Sequence, residues 1–264
     1  MSQPPALITT VHDPERRLLH IFREAGEALA IYSATYAFVT DNTHPDVIHA
    51  LRAIGGHVEV GPPGVPGIGQ RRVLASAVQA DHKDMFYCDF DRWLHWAGSY
   101  PKELFSLPER MSREHAEAWF ICLGRTERAM ATHPVAQSLP EAATNRALST
   151  VAGKSLDATA GASWVRLAGA RLILSGSTVT TKATDLEWPG LILRVDSARV
   201  QGAFVEGLEF ETPDGYAEEI ARTGSIQAWI RSTYDRPHVL RDRLQLAADS
   251  ISALINVTSD TDFG

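Results

Sequence analysis

The chain has 264 residues, 44% hydrophobic and 22% charged, an ordinary globular composition with length for one large domain or two small ones. A formal net charge of −7 argues against a general nucleic-acid binder, which would present a basic face, yet leaves room for one phosphorylated ligand held by a local arginine pair or a metal. No apolar run approaches the ~18–20 residues of a membrane span. The opening MSQPPALITTVHDP has no basic stretch followed by a long apolar one, so no secretory signal is expected and the expected location is the cytoplasm.

In chain order, Ala6–Val11 reads as a buried strand. Asp13-Pro14 predicts a helix start, a capping residue followed by proline at the first helical position, with Leu18, Leu19, Phe22, Ala25 and Ala28 at helical spacing. Ala30–Thr40 is β-branched and aromatic, hence a second strand, ending at Asp41-Asn42-Thr43. A helix over Val47–Ile54 and a short strand over His57–Val60 follow. This strand–helix–strand rhythm predicts an α/β domain with a largely parallel sheet. Gly61–Gly69 carries four glycines and three prolines in nine residues and reads as a loop leading to Arg71-Arg72 and a helix over Val73–Val78. A strand then begins at Met85. Cys88 and Cys122 lie in apolar runs and read as buried thiols.

Beyond this strand the pattern predicts helices at Trp93–Ala97, Pro101–Phe105 and Ser112–Ala118, a strand at Trp119–Leu123 and a helix over Pro134–Val151. Arg171–Leu174 fits a helix end or a strand. Thr184–Pro189 is an acidic segment halted by proline. Leu191–Val195 and Ala203–Val205 read as strands. Tyr216–Arg231 and Val239–Ile255 read as helices, and Thr258–Gly264 as a frayed tail.

The stretch MFYCDFDRWLHW ends a strand and presents Asp89 and Asp91 with one residue between them. Two carboxylates so placed can share one hard cation, Mg²⁺ or Mn²⁺, with substrate phosphates completing the shell. They would equally serve as turn residues, a helix cap or a solvated pair. In open α/β sheets ligands sit outside the carboxyl ends of the strands. Thr9-Thr10, Asp41, the glycine loop and Asp89-Asp91 all fall at such ends. The glycine loop has the wrong spacing for a dinucleotide fingerprint, and Leu148 stands where a phosphate loop ending at Gly153-Lys154-Ser155 needs its first glycine. Arg71 and Arg72 suit a diphosphate through their planar forks, or form a solvated helix face. Trp93, Trp96, Trp164 and Trp188 read as a sugar-stacking wall or as core.

The order of these elements resembles the GT-A glycosyltransferases, in particular their family-2-like, nucleotide-sugar-dependent group. Ala6–Val11 resembles their opening strand, Asp41 the acidic residue after the second, Gly69-Gln70-Arg71-Arg72 the glycine-arginine segment, and Tyr87–Asp91 the Asp-X-Asp metal motif. Gly161–Leu167 resembles their acceptor-side segment before a helix, and Thr184–Trp188 stands at their acidic catalytic motif. The resemblance implies a GT-A-like (Rossmann-like) α/β fold with a mixed, largely parallel sheet, flanking helices and a C-terminal helical segment. It implies one domain over 1–264: a nucleotide-binding half (1–96), an acceptor half (97–212) and C-terminal helices (213–264).

The implied activity is metal-dependent transfer of a sugar, hexosyltransferase-like, from a nucleoside-diphosphate sugar to an acceptor hydroxyl. Thr9, Thr10, His12, Asp41, Arg71, Arg72 and Asp89 would bind the nucleotide sugar. Asp89, Asp91 and a histidine from the C-terminal loop, His238, would hold Mn²⁺ or Mg²⁺. Asp185 or Glu187 would be the catalytic base. Expected partners are the donor and a hydroxyl acceptor, with neither nucleic acid nor a membrane span; a homodimer is compatible with this reading. A sugar nucleotidyltransferase is the alternative, although Thr9–Pro14 lacks the glycine loop those enzymes open with; a non-catalytic nucleotide- or sugar-binding module is the other.

Overall fold

The computed structural model describes residues 3–259. Seven strands form one sheet: β1 (Ala6–Val11), β2 (Ala34–Thr40), β3 (His57–Gly61), β4 (Asp84–Cys88), β5 (Phe120–Arg125), β6 (Ala162–Arg166) and β7 (Val200–Val205), in the order β3-β2-β1-β4-β6-β5-β7. β1 pairs in parallel with both β2 and β4, β5 with β7 in parallel, and β6 runs antiparallel between β4 and β5. The chain moves from β1 outward to β3 and then returns to the other side of β1. The carboxyl ends of β1 and β4 therefore bound a topological switch point, where such sheets bind ligands.

The flanking helices are α1 (Leu19–Ala25), α2 (Pro45–Ala53), α3 (Pro66–Gln79), α4 (Phe90–Ser99), α5 (Pro101–Glu114), α6 (Glu127–Ala131), α7 (Val135–Ala152), α8 (Leu167–Gly176), α9 (Thr184–Leu193), α10 (Ala217–Thr223), α11 (Ile226–Thr233) and α12 (Pro237–Thr258). Alternation along β4 splits the core into two layers: Phe86 and Cys88 face one with Trp93, Trp96 and Trp164, Met85 and Tyr87 the other with Trp188. All four tryptophans are at most 3% exposed, so they are core and no stacking wall. Both cysteines are free and buried.

Several expected elements take another form. Asp13 does cap the chain, accepting from the Arg17 and Leu18 amides, but regular helix begins only at Leu19. A 3₁₀ turn over Gly26–Ile31 delays the second strand to Ala34. Proline at its first turn lets α3 start at Pro66, so Gly67 and Gly69 are helical. A β-carbon on Gly67 would lie 2.6 Å from the Val179 carbonyl oxygen, and one on Gly69 2.5 Å from the Phe38 ring. The expected helix Ser112–Ala118 is the end of α5 plus a loop. Leu191–Leu193 are the buried end of α9 rather than a strand, Arg194 and Val195 follow exposed, and Pro189 lies inside that helix instead of halting it. An apolar run buried on all sides carries no period to separate the two forms. Gly224, at φ +84°, and the Ser225 cap divide Tyr216–Arg231 into two helices. Of the expected tail, residues 260–264 lie outside the described part.

Candidate active site

Two cavities meet at the switch point. The first, of about 380 Å³, lies over the carboxyl ends of β1 and β2 and is walled by Thr10, His12, Phe38, Thr40 and the Pro62–Pro66 loop. The second, of about 240 Å³, is bounded by α7, α12, Gly161 and Glu211. Asp89, Asp91 and Lys182 line both.

Asp89 is the residue before α4, placed there because β4 stops at Cys88. Its amide donates to the Gly161 carbonyl at 2.9 Å. Oδ1 accepts from the Tyr87 hydroxyl at 2.5 Å and from Thr10 Oγ1 at 3.3 Å, and Oδ2 accepts from Lys182 Nζ at 2.6 Å. Burial opposes the Asp89 charge, but Lys182, Arg92 and Tyr87 outweigh it and hold the carboxyl below its usual range. Gly161, at φ +67°, is the floor: a β-carbon there would lie 2.7 Å from Asp89 Oδ2 and 2.9 Å from Arg92 Nε.

Asp91 and Asp185 are different. Each sits in the first turn of a helix, α4 and α9, and neither forms an ion pair among the described residues. Burial, followed by the charges of Glu211 and Asp89, pushes Asp91 up to about 7. Burial also pushes Asp185 up to about 7; Lys182 pulls it back, and Asp89 and Glu141 add to the rise. The second cavity is braced by Arg125, whose guanidinium binds both oxygens of Asp157 at 2.9 Å and Glu141 Oε2 at 2.5 Å. Asn145 joins Asp157 at 2.7 Å.

The expected site residues divide. Thr10, His12, Asp89 and Asp91 line the first cavity, and Asp89, Asp91 and Asp185 the second. Thr9 is fully buried and donates to the Cys88 carbonyl, holding β1 to β4 behind the site. Asp41 is exposed in the turn after β2 and lines neither cavity. Arg71 binds Ser177 Oγ and the Val179 carbonyl, and Arg72 pairs with Glu59 at 2.8 Å; neither lines a cavity. Glu187 is 1% exposed, and its carboxylate takes the Thr178 and Val179 amides and the Ser177 hydroxyl. It staples a loop and lines neither cavity, so of the acidic pair only Asp185 faces one. His238 is exposed on the first turn of α12, away from the cavity walls.

Three lining residues had no motif to mark them: Lys182, Arg92 and Glu211. Lys182 stands three residues before Asp185, a spacing that was readable only once the helix start at Thr184 was known.

Among the described residues no group of three or more His, Cys, Asp or Glu side chains is arranged to hold a metal. A site of one or two carboxylates completed by substrate phosphates needs no such group. Asp91 fits that role, being a carboxylate outside any ion pair among the described residues and facing both cavities, with Asp89 beside it.

The mixed seven-stranded sheet, its flanking helices and the C-terminal helix make up the GT-A fold of glycosyltransferases. Among solved structures, the chain is similar to the glucosyl-3-phosphoglycerate synthase of Mycobacterium tuberculosis in complex with uridine diphosphate, with a TM-score of 0.56 at 12% identity over 100% of this chain and 83% of that one. The same synthase with Mn²⁺, UDP-glucose and phosphoglyceric acid gives a TM-score of 0.52 at 11% identity, over 100% and 82%. A mycobacterial protein gives 0.57 at 11% identity, over 100% and 77%. No protein-family model matches the sequence, and no curated protein matches it. No helix among the described residues is long and apolar enough to cross a membrane.

Proposed function

We propose that this protein is a glycosyltransferase that moves a sugar from a nucleoside-diphosphate sugar to an acceptor hydroxyl. The observation that carries the reading is the meeting of two cavities on one carboxylate–ammonium cluster, Asp89, Asp91 and Lys182, at the switch point of a GT-A sheet. The mycobacterial synthase with the same fold takes UDP-glucose, Mn²⁺ and phosphoglyceric acid or glycerol 3-phosphate in its complexes, which supports a donor of this class here.

The first cavity takes the nucleotide, with Thr10 and His12 on its wall and the proline loop over it. The diphosphate lies at the shared cluster. Lys182 places its ammonium there, and Asp89 keeps it charged and aimed. Asp91 is the carboxylate that would hold Mn²⁺ or Mg²⁺, and such an ion, when bound, neutralises charge on the departing diphosphate. The acceptor occupies the second cavity, where Asp185 takes the proton from its hydroxyl. A carboxyl pushed up to about 7 suits a general base at neutral pH.

The test is a thermal-shift screen of UDP, GDP, ADP and TDP with and without Mn²⁺, since a ligand of the native state raises its apparent stability. One diphosphate is expected to stabilise the protein in a Mn²⁺-dependent way, and Asp91→Asn to remove the metal dependence. Shifts absent for all four with Mn²⁺ present would reject the proposal. Asp185→Asn is expected to bind the same nucleotide but transfer sugar about 100-fold more slowly, the low end of general-base effects.

A further inference from the structure

The second cavity has five carboxylates on its wall, Asp89, Asp91, Glu141, Asp185 and Glu211, and three cations, Lys182, Arg92 and Arg243. Every one of the three cations already faces a carboxylate. Lys182 is on Asp89 at 2.6 Å, Arg92 Nη1 is 3.8 Å from Glu211 Oε2, and Arg243 Nη1 is 3.9 Å from Glu141 Oε1. Carboxylates thus outnumber cations on this wall, and each cation is held within 4 Å of one of them.

The unsatisfied atoms give a second, independent indication. Arg92 Nη1 and Glu211 Oε2 are both buried and both lack a hydrogen-bond partner, in side chains 9% and 7% exposed. At 3.8 Å they are too far apart to bond each other directly. One needs an acceptor and the other a donor. A hydroxyl is both at once, so one sugar or polyol hydroxyl can satisfy the pair; a phosphate or ionised carboxylate offers acceptors only. The Gln137 amide, 3% exposed and on the same wall, has no side-chain partner among the described residues and adds a further donor and acceptor. The volume of about 240 Å³ falls below the ~300–1,000 Å³ typical of larger ligand pockets.

We infer that the acceptor is a small uncharged polyol, of about one sugar ring, whose hydroxyls bridge Arg92 and Glu211, and that phosphorylated or carboxylated acceptors are rejected. This rests on the transferase reading above. It departs from the mycobacterial synthase, whose complexes contain phosphoglyceric acid or glycerol 3-phosphate.

The experiment uses the full chain with Mn²⁺ and UDP-glucose and compares matched acceptors, glycerol with glycerol 3-phosphate and glucose with glucose 6-phosphate. The neutral member of each pair is expected to have at least a tenfold higher kcat/KM. Where transfer is too slow to measure, protection of UDP-glucose from hydrolysis reads occupancy of the cavity, and the neutral members are expected to protect at lower concentration. Glu211→Gln is expected to raise the KM for the neutral acceptor and leave UDP affinity unchanged. Equal or better use of the phosphorylated members, equal or better protection by them, or an unchanged KM in Glu211→Gln would overturn the inference. If none of UDP, GDP, ADP and TDP binds, the transferase reading falls and the polyol falls with it; nucleotide binding with a phosphorylated preference removes the polyol alone.

Discussion

Lys182 Nζ stands 2.6 Å from Asp89 Oδ2, and this pair forms the partition between the two cavities. The side chains are 34% and 16% exposed, intermediate between a surface pair worth ~0–1 kcal/mol and a buried one whose disruption costs ~3–5 kcal/mol. Lys182→Met is expected to destabilise the fold by about 1–3 kcal/mol in urea unfolding. Adding Asp89→Asn should return part of that loss, because the orphaned charge is then gone. Strict additivity of the two changes would mean that they are not coupled.

Asp185 gives a pH dependence with a defined sign. As the proposed base it must be ionised, so transfer is expected to rise with pH through about 7 and level off above. For stability the sign is opposite. Its folded pKa is raised, so the folded chain keeps a proton that the unfolded chain releases between about pH 4 and 7, and this group's contribution falls across that window. Asp185→Asn should therefore raise Tm at pH 8 and leave it nearly unchanged at pH 4. The gain is on the order of 1–4 kcal/mol, from 1.36 kcal/mol per pKa unit. A Tm difference independent of pH would contradict the raised value.

The sheet was legible because strands flanked by Pro, Gly and Asp keep their local signal: β1, β3 and β4 fall within a residue or two of the sequence reading. The Asp89-Asp91 placement was legible for the same reason, being the first residues past a strand end. Glu187 and the arginines were not. Whether Glu187 faces a cavity or staples Ser177–Val179 depends on a loop folded back onto α9, which no spacing in Thr184–Pro189 encodes. Arg71 follows the same loop, and Arg72 follows a cross-element partner, Glu59. Lys182 was missed because a single lysine in a polar segment has no pattern until tertiary structure brings it 93 residues back to Asp89.

Gly161 makes room for the carboxylate it supports. Alanine there suffers twice: φ is +67°, and the added carbon would crowd Asp89 Oδ2 and Arg92 Nε. Gly161→Ala is expected to lose about 1–3 kcal/mol of stability from backbone strain of this kind. It should also weaken nucleotide binding by displacing Asp89 and, with it, Lys182. Isothermal titration with UDP and Mn²⁺ checks the second effect; unchanged affinity would show that Asp89 tolerates the shift.

His95 on α4 ties the proposed metal helix to the segment that carries Glu211. Nδ1 lies 2.7 Å from Asp214 Oδ2 and Nε2 3.1 Å from Glu209 Oε1, so both ring nitrogens face carboxylates, an arrangement that favours the doubly protonated ring. Burial opposes the charge, but Asp214 and Glu209 outweigh it and raise the pKa above its usual 6.5. Tyr100 and Arg128 also bond Glu209, at 3.1 and 2.6 Å, and keep that carboxylate ionised. A raised folded-state pKa stabilises fully below about pH 6.5, and the contribution is lost as pH rises through the folded value. His95→Gln is therefore expected to cost about 1–2 kcal/mol at pH 6, in the range of charge-assisted hydrogen bonds, and little at pH 9. Urea unfolding of both proteins at the two pH values measures it. An equal cost at both would mean that the neutral ring holds the segment as well as the charged one does, and that Glu211 is positioned independently of pH.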